Sequence, residues 1–502
     1  MGRCAVPICT GAHGAMRLGI DFGTSYSAAG AVMGDSVELL KFGKEMQFRT
    51  TAYFQHQVPD PGQFSLSEAL EAEVDSLVRR SRNEQARQAS RAGALRARAM
   101  QIPEQARRDL ELSLIPNVAL RSELQLQKEA ISAVRRRWLE DQVRTSRTSA
   151  ASLQHAVYGD QAIEAYLTEG GGHLVDSPKS MLGFALGSHA RAVLLRIATY
   201  VLEHIRLSAV QQFRTEVRSA LIGRPVRFRS SIGDAGGLQA LEILREAASA
   251  AGFDEVDFLE EPAAAAMGYH ATQKAAQRCL VVDIGGGTTD IAMAKVGGRT
   301  SRPGILGSWG TPMGGQDVDL DLSLARFMPL LGKGLSRIPV HLYSDAARVH
   351  EVHRQADFMR HDFSRHDQPY ADRLRRLQAF GNTVRLNWQV EITKKRLSEC
   401  NEIAAPLDFI EEQLAATATQ EQLSMAADRY LNVLTELLET ARAEIAQAPE
   451  VILLTGGMSR APYVQAAIQA VFPGVAVTKG DPSLGVVTGL AVAANRMRAA
   501  RE

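Results

Sequence analysis

The chain has 502 residues, with 57 Lys and Arg against 56 Asp and Glu, which gives a formal net charge of +1. With 45% hydrophobic and 23% charged residues it can bury a large core, so the composition excludes a wholly disordered protein. The near-neutral charge argues against a dedicated nucleic-acid binder, which usually carries a strong basic excess. The 4 cysteines are too few and too scattered for a disulfide framework or a zinc site, which favours a reducing compartment.

The N-terminal region carries no recognisable targeting signal. Residues 1–15 lack the apolar stretch of a signal peptide, and no run of about 18 uncharged apolar residues occurs that would span a membrane. We therefore expect a soluble cytoplasmic protein, with an N-terminal tail over 1–15 and strand character beginning near Met16.

Two similar segments indicate an internal repeat. Residues 17–33 read RLGIDFGTSYSAAGAVM, and residues 279–295 read CLVVDIGGGTTDIAMAK. Each is an apolar strand that ends in Asp, then a turn rich in Gly, Thr or Ser, then a second apolar strand, which is the pattern of a β-hairpin. The repeat predicts two similar lobes that each present one turn to a shared cleft.

Strands alternate with helices in the second half of the chain. Residues 238–253 have a helical pattern, and residues 451–472 predict a buried strand, a Gly-Gly turn and an amphipathic helix with Pro462 in its first turn. This alternation is typical of α/β proteins.

Two polar stretches interrupt this α/β pattern as insertions. Residues 60–150 have a helical composition, and between Arg79 and Arg147 the Lys and Arg residues exceed the Asp and Glu residues by 8. We interpret this stretch as a solvated helical outgrowth, with a surface for an anionic partner as the alternative.

The second insertion, at about 333–380, is rich in histidine. His350 and His353 have the spacing of one helix face, but no third metal ligand follows at a suitable distance along the chain. We therefore expect surface histidines rather than a metal site. The histidines concerned are His341, His350, His353, His361 and His366.

The hairpin turns have the composition of a polyphosphate site. Glycines let backbone N–H groups approach phosphate oxygens, and the nearby Thr and Ser hydroxyls add donors. The carboxylates of Asp21 and Asp283 can orient waters on Mg²⁺, which keeps much of its hydration shell. A single turn of this kind is usually only a turn, but the matched pair and the Gly456-Gly457 segment together indicate a site that holds phosphates from both sides.

Other phosphate-binding signatures are missing from the sequence. No Walker A sequence occurs, and Asp290 stands where a dinucleotide fingerprint requires its third glycine. A Rossmann oxidoreductase is therefore disfavoured.

The three glycine-containing segments resemble the phosphate-1, phosphate-2 and adenosine motifs of the actin/hexokinase/DnaK ATPase superfamily, and most of all its DnaK (heat-shock-70) branch. The resemblance extends from about residue 16 to 497. Together the motifs are most similar to the YegD-type DnaK relatives. The further segments that carry it are SPKSMLG (177–183), IGRPVRF (222–228), FLEEPAAAAMGY (258–269), TPMGGQDVDLDLS (311–323) and EITKKRLS (391–398).

The resemblance implies an α/β, actin-like ATPase fold, in which two lobes with four subdomains in all surround a nucleotide cleft and carry helical insertions. We place the boundaries accordingly: lobe I at 16–271 with the basic insertion at about 60–150, lobe II at 272–478 with the polar insertion at about 333–380, and a return to lobe I with the C-terminal tail at 479–502.

The resemblance also implies roles for individual residues. The implied catalytic residues are Lys179, Glu261, Asp283 and Thr288. Lys179 would position the attacking water and stabilise the γ-phosphoryl group. Mg²⁺ would be bound by Asp21, Asp283 and Asp290, largely through water molecules. The nucleotide-binding positions are Gly23, Thr24, Ser25, Tyr26, Gly285, Gly286, Gly287, Thr288, Gly315, Glu391, Lys394, Lys395, Ser398, Gly456, Gly457 and Arg460, whose guanidinium can stack on the base.

Several positions depart from the family pattern. Met458 and Ser483 stand where the family usually has Ser and Asp, both near the expected adenosine pocket, so we expect altered nucleotide affinity or base selectivity. Thr289 replaces a Phe, which we interpret as a packing change. The chain stops at Glu502 after its last recognisable motif, and we expect it to lack the peptide-binding domain of DnaK.

The resemblance implies an ATP-binding, slowly ATP-hydrolysing protein that acts as a nucleotide-driven conformational switch in a chaperone-related role. Its cofactors would be ATP or ADP and Mg²⁺. Protein clients or co-chaperones would bind through the insertions, and we expect neither nucleic acid nor membrane as a partner. Two alternatives stay open: a small-molecule kinase of the same superfamily, whose acceptor-pocket Asp we cannot identify, and an actin-like filament-forming protein, whose stacking the insertions would obstruct.

Overall fold

The computed structural model describes residues 16–54, 64–115, 121–146, 157–169, 173–481 and 484–499. The chain has two compact units. The larger unit comprises Met1–Gln55 together with Leu153–Glu502, and the insertion unit comprises His56–Ser152.

The described residues form 16 strands and 16 helices. The strands are β1 (Met16–Phe22), β2 (Tyr26–Met33), β3 (Ser36–Leu39), β4 (Phe48–Arg49), β5 (Thr51–Phe54), β6 (Val157–Tyr158), β7 (His173–Asp176), β8 (Val217–Arg224), β9 (Glu255–Glu260), β10 (Gln277–Ile284), β11 (Thr289–Val296), β12 (Gly304–Thr311), β13 (Glu402–Pro406), β14 (Ala415–Thr419), β15 (Val451–Thr455) and β16 (Ala476–Lys479). The helices are α1 (Glu68–Met100), α2 (Gln105–Ser113), α3 (Glu123–Ser146), α4 (Asp160–Glu169), α5 (Ser188–Phe213), α6 (Asp234–Ala250), α7 (Glu261–Thr272), α8 (Gly315–Leu322), α9 (Val340–Ala347), α10 (Val352–Arg360), α11 (Tyr370–Leu377), α12 (Asn382–Arg396), α13 (Gln420–Ala426), α14 (Asp428–Glu444), α15 (Pro462–Val471) and α16 (Gly485–Ala499).

Two sheets of the larger unit have the same connectivity. The first has the strand order β3-β2-β1-β8-β9, with β4 also paired to β2, and the second has the order β12-β11-β10-β15-β16. In each, the first three strands of the path are antiparallel and the last two join in parallel. We call the first sheet with the elements packed on it lobe I, and the second lobe II. This duplication confirms the predicted actin-like fold with two lobes.

Both predicted hairpins are confirmed, β1 with β2 and β10 with β11. The strand, turn and helix predicted over 451–472 are present as β15, a short turn and α15, and the helix predicted over 238–253 is α6. The inner strands are apolar without alternation because both of their faces are covered: all five residues of β15 are buried.

Helices α7 and α16 pack between strands of the two sheets. One apolar cluster contains Ala264 from α7, Leu490 from α16, Leu221 from the first sheet, and Val281 and Leu453 from the second. Burying this cluster joins the lobes at one edge and leaves the hairpin turns facing each other at the other end of the strands.

Glycines set how closely α16 approaches its neighbours. A Cβ at Gly489 would lie 1.7 Å from the carbonyl oxygen of Ala264, and a Cβ at Gly19 on β1 would lie 2.2 Å from the backbone nitrogen of Ala491. No side chain fits at these distances, so the helices and the strand pack backbone against backbone.

The polar stretch 333–380 has a buried side that its composition conceals. It forms α9, α10 and α11. Tyr343, Phe358, Phe363 and Leu374 are fully buried in the main apolar cluster of lobe II. The stretch is therefore part of the lobe's core on one side and polar on the other.

The insertion unit is helical, as its composition predicted. Helix α1 is 33 residues long, and it packs on α3 through Val74, Val78, Leu126 and Val134. Across the described part of both units, no helix combines the length and the apolar character needed to cross a bilayer.

We predict opposite stability effects for one substitution at two helical glycines. Gly489→Ala forces its Cβ into the Ala264 carbonyl and should destabilise the fold by more than about 2 kcal/mol, as overpacking does. Gly237→Ala on α6 meets only Phe228, at 3.9 Å, and should stabilise by up to about 1 kcal/mol through helix propensity. Denaturant unfolding measures both changes, and an equal effect at the two sites would contradict the packing described above.

Candidate functional site

The two hairpin turns open into a cavity of about 750 Å³ between the lobes. Every site residue predicted from the sequence lines this cavity except Gly287 and Asp290. The predicted residues that line it are Asp21, Gly23, Thr24, Ser25, Tyr26, Lys179, Glu261, Asp283, Gly285, Gly286, Thr288, Gly315, Glu391, Lys394, Lys395, Ser398, Gly456, Gly457 and Arg460.

The turns of the two hairpins approach each other closely. A Cβ at Gly286 would lie 2.3 Å from the Ser25 hydroxyl oxygen, and a Cβ at Gly287 would lie 3.0 Å from that of Thr24. Gly287 therefore contacts the opposite turn although it does not line the cavity. Side chains at these glycines would fill the gap in which the turns face each other.

The second turn is held in place by neighbouring backbone. The N–H of Gly315 donates to the carbonyl of Gly285 at 3.0 Å, and the N–H of Gln316 donates to that of Gly286 at 2.8 Å. Gly456 has a φ of +80°, and a Cβ there would lie 2.3 Å from the carbonyl oxygen of Ile284. Three backbone segments thus converge on the cleft with no side chains between them.

Four carboxylates surround one lysine at the centre of the cavity. The ammonium of Lys179 binds the carboxylate of Glu261, and both residues are buried. Asp21 and Asp283 are the penultimate residues of β1 and β10, and Asp290 faces Asp283 across the second hairpin. The position of Asp290 is fixed because its Oδ1 accepts the N–H of Val226 at 2.7 Å.

The pKa values of these groups show an excess of negative charge. Burial and the charge of Glu261 raise the pKa of Asp21 to about 7, although Lys179 opposes the rise. Burial and Glu261 also raise the pKa of Asp290 to about 7, and burial with the same neighbour raises that of Asp283 well above its usual range. Burial alone would lower the pKa of Lys179, but the charges of Glu261 and Asp21 outweigh it and raise the pKa.

This arrangement fits a hydrated divalent cation. Within the described ranges, no three His, Cys, Asp or Glu side chains converge closely enough to ligate a metal ion directly. Mg²⁺ commonly keeps several waters and is held by one or two carboxylates and phosphate oxygens. Asp283 and Asp290, which are buried, and the half-buried Asp21 fit that role, because their pKa values are raised and one cation lies nearby.

Another part of the cavity wall is formed by α12 and by the turn after β15. Lys394 donates to Oδ2 of Asp319 at 2.7 Å and to the carbonyl of Gly315 at 2.9 Å. Lys395 donates to Oε1 of Glu391 at 2.6 Å, and its Nζ lies 5.9 Å from the centre of the Tyr26 ring. Both ammonium groups are therefore already engaged by the protein.

Two of the departures from the family pattern can be located. Met458 is buried and lines the cavity, with its sulfur 4.0 Å from the hydroxyl of Tyr463. Thr289 is buried, and its hydroxyl lies 2.9 Å from both the carbonyl of Met313 and the hydroxyl of Tyr430. Polar packing thus takes the place of the aromatic ring that the family carries there. Ser483 lies outside the described residues.

An ionic connection crosses the cleft at a position that no sequence motif predicted. Arg49 in lobe I pairs with Glu391 in lobe II at 3.1 Å and with Asp176 in its own lobe at 3.3 Å. Burial alone would raise the pKa of Glu391, but the charges of Arg49 and Lys395 lower it to about 2. Arg49 lies in the short strand β4, where no motif marks it.

The expectation of surface histidines is wrong for His350. Its side chain is 17% exposed and lines the cavity, with Nδ1 3.6 Å from Oδ2 of Asp176. The neighbouring Glu351 forms ion pairs with Arg348 and Arg354. These pairs hold the loop that carries His350 at the cleft.

The other four histidines lie on lobe II. His341 is exposed, whereas His361 and His366 are partly buried with their Nε2 atoms 3.3 Å apart. The side chain of His353 lies outside the described part of the chain.

Further cavity residues were present in the quoted motifs without being singled out. Asp319 and Gln316 belong to the segment 311–323, and Tyr463 follows the proline that begins α15. Gln316 donates from Nε2 to the hydroxyl of Ser177 at 2.9 Å, which adds a further contact between the lobes. The polar residues inside the segment 311–323 were the signal that could have identified Gln316 and Asp319.

Comparison with known proteins connects this geometry to two families. The family model described as MreB/Mbl protein matches residues 203–321, and the one described as Hsp70 protein matches residues 353–501. Heat shock 70 kDa protein 13 of Homo sapiens is 25% identical over 298 residues, which cover 55% of this chain and 59% of that protein.

The chaperone protein DnaK of Thermosipho melanesiensis is 26% identical over 314 residues, which cover 59% of this chain and 44% of that protein. Heat shock 70 kDa protein 13 of Bos taurus is 25% identical over 318 residues, covering 59% of this chain and 63% of that protein. The matched part of the chain thus covers 44% to 63% of the length of these relatives.

We predict that removing the central lysine strongly destabilises the protein at neutral pH. Lys179→Met leaves Glu261 buried without its partner, which should cost about 3–5 kcal/mol in the free energy of unfolding. The double variant with Glu261→Gln should regain part of that loss, since no unpaired charge then remains. Lys395→Met removes an ion pair whose lysine is 55% exposed and should cost less than about 1 kcal/mol. Denaturant titrations at fixed salt measure all three; equal losses for both lysines would contradict the role of burial.

Proposed function

Because the chain carries an ATPase domain of the heat-shock-70 family, we propose that it binds ATP or ADP together with Mg²⁺ in the cleft and hydrolyses ATP slowly. One observation carries this proposal: two glycine turns, one from each lobe, face each other around a buried centre in which Lys179 is surrounded by carboxylates. A polyphosphate with its metal ion supplies the two things that this centre needs, which are oxygen acceptors for the backbone N–H groups of the turns and positive charge for the carboxylates.

Different parts of the cavity would hold the phosphates and the nucleoside. The turns at 23–26 and 285–288 would hold the β- and γ-phosphates, because glycines there let backbone N–H groups approach oxygen. Asp21, Asp283 and Asp290 would hold hydrated Mg²⁺, which would neutralise charge on the phosphates. The part of the cavity lined by α12 and by residues 457–460 is left for the nucleoside.

Hydrolysis would proceed by in-line attack of water on the γ-phosphorus. A bond forms from the water oxygen to phosphorus, the bond to the β–γ bridging oxygen breaks, and ADP and phosphate leave with the water's protons shared between phosphate and solvent. Lys179, fixed by Glu261, would orient the water and donate to the γ-phosphoryl oxygens. Since the Glu261 carboxylate is already bound to Lys179, it is not free to accept a proton from the attacking water, which is why we expect slow turnover.

The ionic pairs across the cleft support a conformational role for the nucleotide. ATP contacts a turn from each lobe and so draws the lobes together, and ADP holds them less firmly. Arg49 and Glu391 already join the lobes near the nucleoside end and would set how easily the cleft opens. We propose that this opening and closing regulates partner proteins in a chaperone-related role in the cytoplasm.

We predict that Asp283→Asn weakens Mg²⁺-dependent nucleotide binding selectively. The substitution keeps the shape of the side chain but removes a charge that would attract the hydrated ion, so ADP affinity should fall about tenfold or more with Mg²⁺, a loss of about 1.4 kcal/mol. In EDTA the affinity should change little or rise. Calorimetric titration of ADP measures both, with Asp35→Asn, in an exposed turn, as the control. Equal loss with and without Mg²⁺ would contradict the metal role.

We predict that Lys179→Gln lowers ATP turnover more than it lowers nucleotide affinity. The ammonium would act mainly on charge that develops as the γ-phosphoryl group transfers, so single-turnover hydrolysis should slow by about 100-fold while the Kd for ADP stays within a few-fold. Phosphate release measures the rate, and the ADP titration also shows whether the variant is folded. Wild-type turnover in a folded variant would rule out this assignment.

A further inference from the structure

The outer face of α1 in the insertion unit carries a row of arginines. Arg80, Arg87, Arg91 and Arg98 recur at intervals of seven, four and seven residues, and the helix runs without interruption through all of them. At about 100° per residue these intervals bring the four side chains to within about 20° of one straight line. At about 1.5 Å per residue the row is about 27 Å long. We call these four residues the arginine row.

The arginine row has no partner in the part of the chain that the structure describes. All four side chains are exposed, and none forms an ion pair or a hydrogen bond with another described residue. Elsewhere in the insertion unit arginines do find partners: Arg82 binds Glu123 and Arg121 binds Glu129. Among the described residues, therefore, nothing occupies the four guanidinium groups of the row.

Arginines outnumber acidic residues on this face, and the side chains beside the row include small and apolar ones. From Arg79 to Arg98 the only acidic residue is Glu84, which lies near the edge of the row. Ala94 lies in the gap between Arg91 and Arg98, and beside it Leu95 is 42% exposed. A partner can therefore approach the helix backbone closely, meeting apolar contacts between the charges.

We propose that the arginine row docks an acidic α-helix of a partner protein, which lies along α1. A second helix has the same rise per residue, so carboxylates repeating at seven, four and seven residues meet all four guanidinium groups along one line. Arginine binds a carboxylate through two parallel hydrogen bonds, which adds direction to the charge attraction. Leu95 and Ala94 supply the apolar contact that helices packed side by side require.

The shape of the row favours a helix over a nucleic acid. The phosphates of a duplex wind around its axis with a period of about 34 Å, so a straight row of about 27 Å meets few of them. The row is also short of the side chains that stack on single-stranded bases: α1 contains no Phe, Tyr or Trp. The partner's acidic helix therefore matches both the spacing and the composition of the face.

The test is binding of a designed acidic helix to the full chain. The probe is a fluorescently labelled, helix-forming peptide with Glu at intervals of seven, four and seven residues, and its control is a helical peptide of the same composition in scrambled order. Arg87→Gln with Arg91→Gln removes two charges from the row. Arg79→Gln with Arg96→Gln removes two exposed charges from other faces of the same helix.

The proposal predicts saturable binding of the spaced peptide in fluorescence anisotropy. The row variant should raise its Kd about tenfold or more, and the off-row variant less than about threefold, because only the first removes facing pairs. Far-UV circular dichroism checks that both variants keep their helices. The proposal is overturned by failure of the spaced peptide to bind at low salt, by equal binding of the scrambled peptide, or by equal loss in the two variants. Tighter, row-dependent binding of a single-stranded or duplex DNA would instead assign the face to nucleic acid.

Discussion

Buried negative charge at the centre of the cleft is the constraint on which the rest of the site depends. Asp21, Asp283, Asp290 and Glu261 share one buried ammonium, Lys179. Ionised carboxylates at this depth are costly unless positive charge joins them. The raised pKa values of the three aspartates are the physical sign of that cost. A cleft built this way favours a ligand that brings its own cation, and a metal-bound polyphosphate does so.

The duplicated sheet explains why the charge collects there. Each lobe carries an Asp one residue before the end of a strand and follows the strand with a glycine turn, and the packing of α7 and α16 between the sheets sets these two turns opposite each other. Lys179 and Glu261 come from a short turn and from the start of α7, and they fill the space that remains. Because the strands, the central helices and the ion pair share one junction, a change at Gly489 or Lys179 is felt in both lobes.

The hairpins and the two lobes could be predicted from the sequence because their signals are local. Apolar strands, glycine turns and terminal Asp residues identified the hairpins, and the repeat of one pattern predicted two lobes. The roles of Arg49 and His350 were not predicted because both depend on partners far away in the chain. Arg49 pairs with Glu391 and His350 faces Asp176, and no neighbouring residue in the sequence indicates either pairing. Composition also misled over 333–380, where polar residues on one side of α9, α10 and α11 hid the buried side that includes Phe358.

Calorimetric titration of the whole chain with ATP, ADP and AMP, each with Mg²⁺ and in EDTA, tests the account most directly. If the facing turns and the buried carboxylates form a site for metal-bound polyphosphate, ATP and ADP should bind at least about tenfold more tightly with Mg²⁺ than without it, a difference of about 1.4 kcal/mol or more. AMP, whose single phosphate cannot reach both turns, should bind weakly under either condition. Binding of AMP as tight as that of ADP, or ATP binding that is indifferent to Mg²⁺, would contradict the account.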